Sequence, residues 1–186
     1  MQRRISISAV LVMLTFWAVT PVFAADVAKI GIVTFQDILE KSEAGKAAQT
    51  QVKKAGKEME DNLKTRGKEI EELQKKLERE ALVMSKEMRE QKEREGRIMV
   101  GDFKSLQQKY KEDFQRLEAR LVKQMETDVF RIVGDIGKKE GYLLILEKVE
   151  AGVVYAPTAI DITDKVIQQY NSEYAQKKTE AGKKVD

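Results

Sequence analysis

Carboxylates are the one kind of side chain from which this sequence could assemble acid–base chemistry. It holds 31 of them beside 34 basic residues, with no histidine and no cysteine. Without imidazole or thiol no Ser-His or Cys-His nucleophile pair can form, and zinc would have to be held by oxygen alone. Paired carboxylates could in principle cleave a glycosidic bond. These carboxylates, however, are spread along segments of helical periodicity, where charge usually faces water. The sequence also carries neither a phosphate-cradling loop nor a dinucleotide fingerprint. The expectation is a protein that is not an enzyme and needs neither metal nor cofactor.

A different chemistry, adaptable apolar contact, is open to Met59, Met84, Met88, Met99, Phe103 and Met125, because thioethers and aromatic rings fit irregular surfaces. Met59, Met84, Phe103 and Met125 fall at helical spacing and are expected first as members of a packed seam. Met88 and Met99 are the more open positions. Met84, Met88, Met99 and Phe103 are the candidate contact residues.

All six lie in the stretch from Phe35 to Gly141, which has no proline, is dense in charge and places one apolar residue every three or four positions. That spacing lines a narrow stripe of a helix. Its first half follows a heptad through Val52, Gly56, Met59, Leu63, Arg66, Ile70, Leu73, Leu77, Glu80 and Met84. In its second half Phe103, Phe114, Met125 and Ile136 recur every eleven residues, as do Tyr110, Leu121 and Ile132. Eleven residues in three turns favours straight or slightly right-handed packing. Antiparallel arms of equal length must reverse near the middle, and Ser85 followed by Lys86 and Glu87 can cap a new helix there, with Gly96 as the rival turn. A tip within residues 82–90 is expected. Gly56, Gly67, Gly96 and Gly101 are candidate hinges.

Strand-like segments flank the arms. Val27 to Phe35 alternates, with Ile30 and Ile32 on one face and Gly31 and Val33 on the other. After Gly141, Tyr142 to Leu146 and Val153 to Ala156 are expected to form a β-hairpin across a turn at Glu147 to Gly152. Asp161-Ile162-Thr163-Asp164 sets up a helix start with Thr163 as the cap, and Val166, Ile167 and Tyr170 face inward. From Asn171 the chain is polar.

The N-terminus reads as an export leader: Arg3 and Arg4, an apolar run from Ile5 to Val19, and the small-residue site Val22-Phe23-Ala24 with cleavage after Ala24. The alternative is an uncleaved anchor, for which the run is short. No cysteine follows it to carry a lipid. Loss of the two leader arginines leaves basic and acidic residues almost balanced, which argues against a nucleic-acid partner.

The expected organisation is a leader at 1–24, a first strand and helix start at 25–40, helical arms at 41–140, a β-hairpin and C-terminal helix at 141–170, and a disordered polar tail at 171–186. The fold class is α+β: a small β-sheet or barrel body with a long protruding α-helical hairpin, oligomeric through the body. A body of this size, with no disulfide to help it, is marginal alone, so self-association is the natural remedy. The interface residues expected are Ile30, Ile32, Val33, Leu143, Leu144, Ile145, Leu146, Val153, Val154 and Tyr155.

Several ordered stretches resemble the Skp (OmpH) family of periplasmic chaperones: Lys29-Ile30-Gly31-Ile32-Val33-Thr34-Phe35-Gln36-Asp37-Ile38-Leu39, Ser42-Glu43-Ala44-Gly45-Lys46-Ala47, Val153-Val154-Tyr155-Ala156 and Asp161-Ile162-Thr163-Asp164-Lys165-Val166-Ile167. The resemblance implies a soluble periplasmic homotrimer whose arms enclose unfolded outer-membrane proteins without ATP. The family commonly has strongly basic arms, whereas Lys46 to Lys138 here holds 23 basic and 19 acidic residues. That small surplus weakens any expectation of membrane or lipopolysaccharide contact. An exported coiled coil that scaffolds the envelope without holding clients is the main alternative.

Overall fold

The computed structural model describes residues 28–183, so the leader and its cleavage site lie outside the described residues. The molecule is mostly helical, with a two-stranded sheet at one end. Strand β1 (Ile30–Val33) is followed by the short helix α1 (Phe35–Lys41), then α2 (Glu43–Glu80) and α3 (Lys86–Glu140), which form the arms. Strand β2 (Leu144–Glu147) returns to the sheet, and a 3-10 turn at Thr158–Ile160 leads into helix α4 (Thr163–Lys183).

β1 and β2 pair in parallel, with Ile30 opposite Leu144 and Val33 opposite Glu147. The expected β-hairpin is absent, because Val153 to Ala156 forms no strand. Those residues instead carry the chain round to Asp161, which bridges Ile32 at the other edge of β1. The Glu147 carboxylate organises the corner: it accepts the Phe35 N–H at 3.0 Å and the Glu150 N–H at 2.6 Å. It thereby serves α1 as the cap that Thr34 does not supply. Burial opposes its charge, but the backbone donors of Glu150, Phe35 and Val149 outweigh this and hold its pKa below the ordinary 4.5.

The joint between α1 and α2 depends on two small residues. Ser42 is fully buried and its hydroxyl accepts the Gly45 N–H at 3.0 Å. A Cβ on Gly45 would lie 1.9 Å from the Leu39 carbonyl oxygen, so only glycine permits the two helices to meet at this angle. Where the chain leaves the arms and re-enters the body, Gly141 terminates α3 with φ +70, a left-handed cap that glycine adopts without strain.

The core gathers where α1, α3 and α4 meet. Ile38, Val129, Ile132 and Val166 are its most enclosed members, with Met125, Ile136, Ile162, Ile167 and Tyr170 around them. Val166, Ile167 and Tyr170 face inward, as their spacing implies. Thr163 is not the cap of α4. The Asp161 carboxylate accepts its N–H at 2.9 Å, and the Thr163 hydroxyl accepts the Thr34 N–H at 3.0 Å, tying α4 to the end of β1.

The tail expected to be disordered from residue 171 is helical as far as Lys183. Its polar side chains have partners on the arms. Asn171 Oδ1 accepts the Glu43 N–H at 2.8 Å, Glu173 pairs with Arg131, and Lys177 lies 3.1 Å from Asp128. Tyr174 packs on the core.

Gly45→Ala should lower the unfolding free energy by about 2–3 kcal/mol through backbone overpacking, read by urea denaturation at fixed protein concentration. A loss below about 0.5 kcal/mol would show that the joint yields cheaply. Glu147→Gln tests the corner. A carboxylate whose folded pKa is depressed contributes stability above its unfolded value near 4.5 and loses it as pH falls through the folded value. The variant should therefore lose about 1–2 kcal/mol at neutral pH and show a flatter decline below that value. An unchanged pH profile would remove Glu147 from this role.

Candidate interaction surfaces

From Lys46 to Gln124 no residue is buried; the facing sides of the arms reach only partial burial. Two helices side by side can shield one stripe each, and among the described residues no third layer covers them. At about 1.5 Å per residue the 38 residues of α2 span roughly 57 Å and the 55 of α3 roughly 83 Å, the extra length of α3 running down into the body.

The reversal occupies Ala81 to Met84, and Ser85 caps α3 by accepting the Met88 N–H at 3.2 Å. The α3 face holds Phe103, Leu106, Tyr110, Phe114, Leu117, Leu121, Met125, Ile132 and Ile136, all at least partly buried, so the eleven-residue spacing is the true period of this helix. On α2 the seam departs from the heptad in one turn. Gly67 is half-buried where Arg66 had been placed, and Arg66 turns to solvent, 3.0 Å from Glu69. Keeping a guanidinium out of an apolar seam avoids a desolvation cost that no partner there would offset.

The seam glycines face side chains of the opposite helix. A Cβ on Gly56 would meet the Phe114 ring at 3.1 Å, one on Gly67 the Phe103 ring at 4.0 Å, and one on Gly96 the Leu73 side chain at 3.6 Å, while Gly101 faces open space. Between the two glycine–phenylalanine rungs lies an open groove of about 970 Å³, with Met59, Leu63 and Tyr110 among its lining. A smaller cavity of about 290 Å³ lies nearer the tip, walled by Ile70, Met99, Phe103 and Leu106. A third, of about 570 Å³, sits at the arm base beside Leu39, Val52 and Val122.

The candidate contact residues are thus dispersed. Met88 is exposed near the tip, Met84 is half-buried under it, Met99 and Phe103 are half-buried along the arms, and Met125 belongs to the body core. Apolar residues that the sequence reading did not single out are also open: Leu82 and Val83 at the tip, Ile98 on α3, and Val122 and Phe130 near the base. Leu82 and Val83 fall within the expected tip, where leaving the helical stripe exposes them. Ile98 and Phe130 stand beside seam members and off the stripe, a signal that a helical wheel would have shown.

The body presents a second apolar surface. Ile30, Leu143, Leu144, Val154 and Tyr155 are exposed, Val154 completely, and Val149 adds to them. Ile145, Leu146 and Val153 are half-buried. Ile32 and Val33, expected at an interface, are 3% and 6% exposed. They fill the body's own core and have no surface to lend a partner.

Charge along the arms is neutralised locally by pairs one turn apart, such as Lys75 with Glu71 at 2.5 Å and Lys92 with Glu95 at 2.7 Å. Such exposed pairs contribute little each. At the body end, Glu140 is held below the usual carboxylate range by hydrogen bonds from Lys165 and Lys29. Tyr170, beside Asp128, is pushed up to about 12, chiefly by burial. Among the described residues no cluster of metal-binding side chains occurs, and no helix is long and apolar enough to cross a membrane.

Amide hydrogen exchange should follow this division. Arm amides between Lys57 and Lys111 are expected to exchange at least about tenfold faster than those of Val129 to Ile136, because no buried layer protects them. Uniform protection along α3 would contradict it.

Comparison with known proteins places these surfaces in context. The family model for outer membrane protein (OmpH-like) matches residues 29–170. A crystal structure of a candidate OmpH-like outer membrane chaperone from Caulobacter crescentus CB15 superposes with a TM-score of 0.73 at 15% identity, covering 78% of this chain and 85% of that one. No curated protein sequence matches.

Proposed function

The chain belongs to the OmpH-like outer membrane protein family, and from that premise we propose that it is an ATP-independent periplasmic holdase. It receives unfolded outer-membrane β-barrel proteins between its arms and keeps them from aggregating in transit. The observation that carries this reading is the pair of long rods with no buried residue between Lys46 and Gln124. An unfolded barrel strand alternates apolar and polar residues, so it is best held by many shallow contacts, and half-buried methionine and phenylalanine along a rod offer them. Met84, Met88, Met99 and Phe103 are the contacts proposed.

The assembly we propose is a homotrimer joined through the body. A two-stranded sheet is marginal in isolation, and among the described residues the outer edge of β2 has no partner strand. Ile30, Leu143, Leu144, Val154 and Tyr155 add exposed apolar surface to the body, and Ile145, Leu146 and Val153 are half-buried. Bending of the arms would fall at Gly101, and less readily at Gly56, Gly67 and Gly96, whose seam contacts resist it. With a surplus of only four positive charges between Lys46 and Lys138, lipopolysaccharide and anionic lipid are minor partners in this reading.

The deciding experiment dilutes a urea-unfolded outer-membrane β-barrel protein into buffer with the purified chain and no nucleotide. Aggregation, followed by light scattering, should be suppressed at near-stoichiometric amounts. Unchanged aggregation would favour an envelope scaffold. In parallel, Val154→Asp should reduce the molar mass in static light scattering towards one third of that of the parent, and a parent that is already monomeric would refute the assembly.

A further inference from the structure

We propose that the groove bounded by the Gly56–Phe114 and Gly67–Phe103 rungs is a docking slot for one short extended segment of a client polypeptide, gripping its apolar side chains two residues apart. The inference rests on the chaperone reading and specifies where on the arm a strand is held.

Three features point to that occupant. The two glycines are eleven residues apart on α2 and the two phenylalanines eleven apart on α3, so the rungs stand about 16 Å from each other along the arm. An extended chain at about 3.3 Å per residue crosses that distance in about five residues and sets alternate side chains on one face. Three such side chains meet a floor of Met59, Leu63 and Tyr110, inside an opening of about 970 Å³. The rim is balanced, with Glu60 and Glu118 against Lys64 and Lys111. A polyanion would find no net attraction there, whereas a strand of alternating apolar and uncharged residues meets no repulsion. Glycine on the α2 side removes the side chains that would otherwise close the slot, and the added Cβ at Gly67 would approach the Phe103 ring no closer than 4.0 Å. A side chain can therefore be started at Gly67 without a clash at its Cβ.

The test uses the full mature chain, a urea-unfolded β-barrel protein and a labelled nine-residue peptide alternating phenylalanine with serine. A p-benzoylphenylalanine photocrosslinker replaces either Gln107, on the groove, or Gln108, whose amide donates to Glu112 on the other side of α3. Crosslinking to both probes should be about fivefold or more stronger from position 107. Gly67→Leu should weaken peptide binding by about tenfold. Its helicity should be unchanged or higher, since leucine favours helix over glycine. Equal crosslinking from the two positions, or undiminished peptide binding by a folded Gly67→Leu chain, would overturn the slot even if the parent still suppresses aggregation. Failure of the parent to suppress aggregation would instead overturn the chaperone reading beneath it.

Discussion

Parallel pairing of β1 with β2 is the constraint on which the rest of the molecule depends. Two strands that run the same way cannot be joined by a tight turn, so the chain must travel back before the second can be laid down. Here the whole arm, from Phe35 to Glu140, is that return path. Both ends of the rods are consequently clamped beside one another: Lys29 and Lys165 hold Glu140 at the foot of α3, and Glu147 closes over the first turn of α1. The sheet is small, but it decides where two long helices begin and finish.

Stability and exposure are divided along the same line. Every fully enclosed side chain among the described residues belongs to α1, the α1–α2 joint, the lower third of α3, or α4 and the residues leading into it, together with β1. The arms above them persist through helix propensity, a half-covered stripe and local charge pairs, none of which contributes much singly. Apolar surface left open on a rod is a liability in a monomer. In the holdase proposed above, the same surface would be the working part.

Much of this architecture could be read from the residues, because long periodic segments declare themselves. The eleven-residue series on α3, the Ser85 cap, and the small residues at Ser42 to Gly45 each have a local physical meaning that needs no tertiary knowledge. What escaped reading depended on distant partners. Val153 to Ala156 has strand-forming residues, yet Asp161 takes the edge of β1. Thr163 has the right type for a cap, but its hydroxyl is claimed by the Thr34 amide. The segment after Asn171 looked solvated, and it is helical because Glu43, Arg131 and Asp128 wait for it across the fold. Arg66 and Gly67 differ by one position, and a heptad template cannot register a drift that small. For the contact residues, the eleven-residue stripe set Met125 apart from Met88, but it gave no depth: Met125 is buried in the body core while Phe103, on the same stripe, is only half covered.

The equal spacing of the two glycine–phenylalanine rungs carries a consequence for how such a rod can change size. Eleven residues complete three turns, so lengthening α2 and α3 by eleven each would return every face to its original bearing and add one more rung. A single inserted residue would instead swing everything beyond it by about 100°, turning phenylalanine away from glycine. Reach can thus grow by whole modules while the foot of the molecule stays as it is.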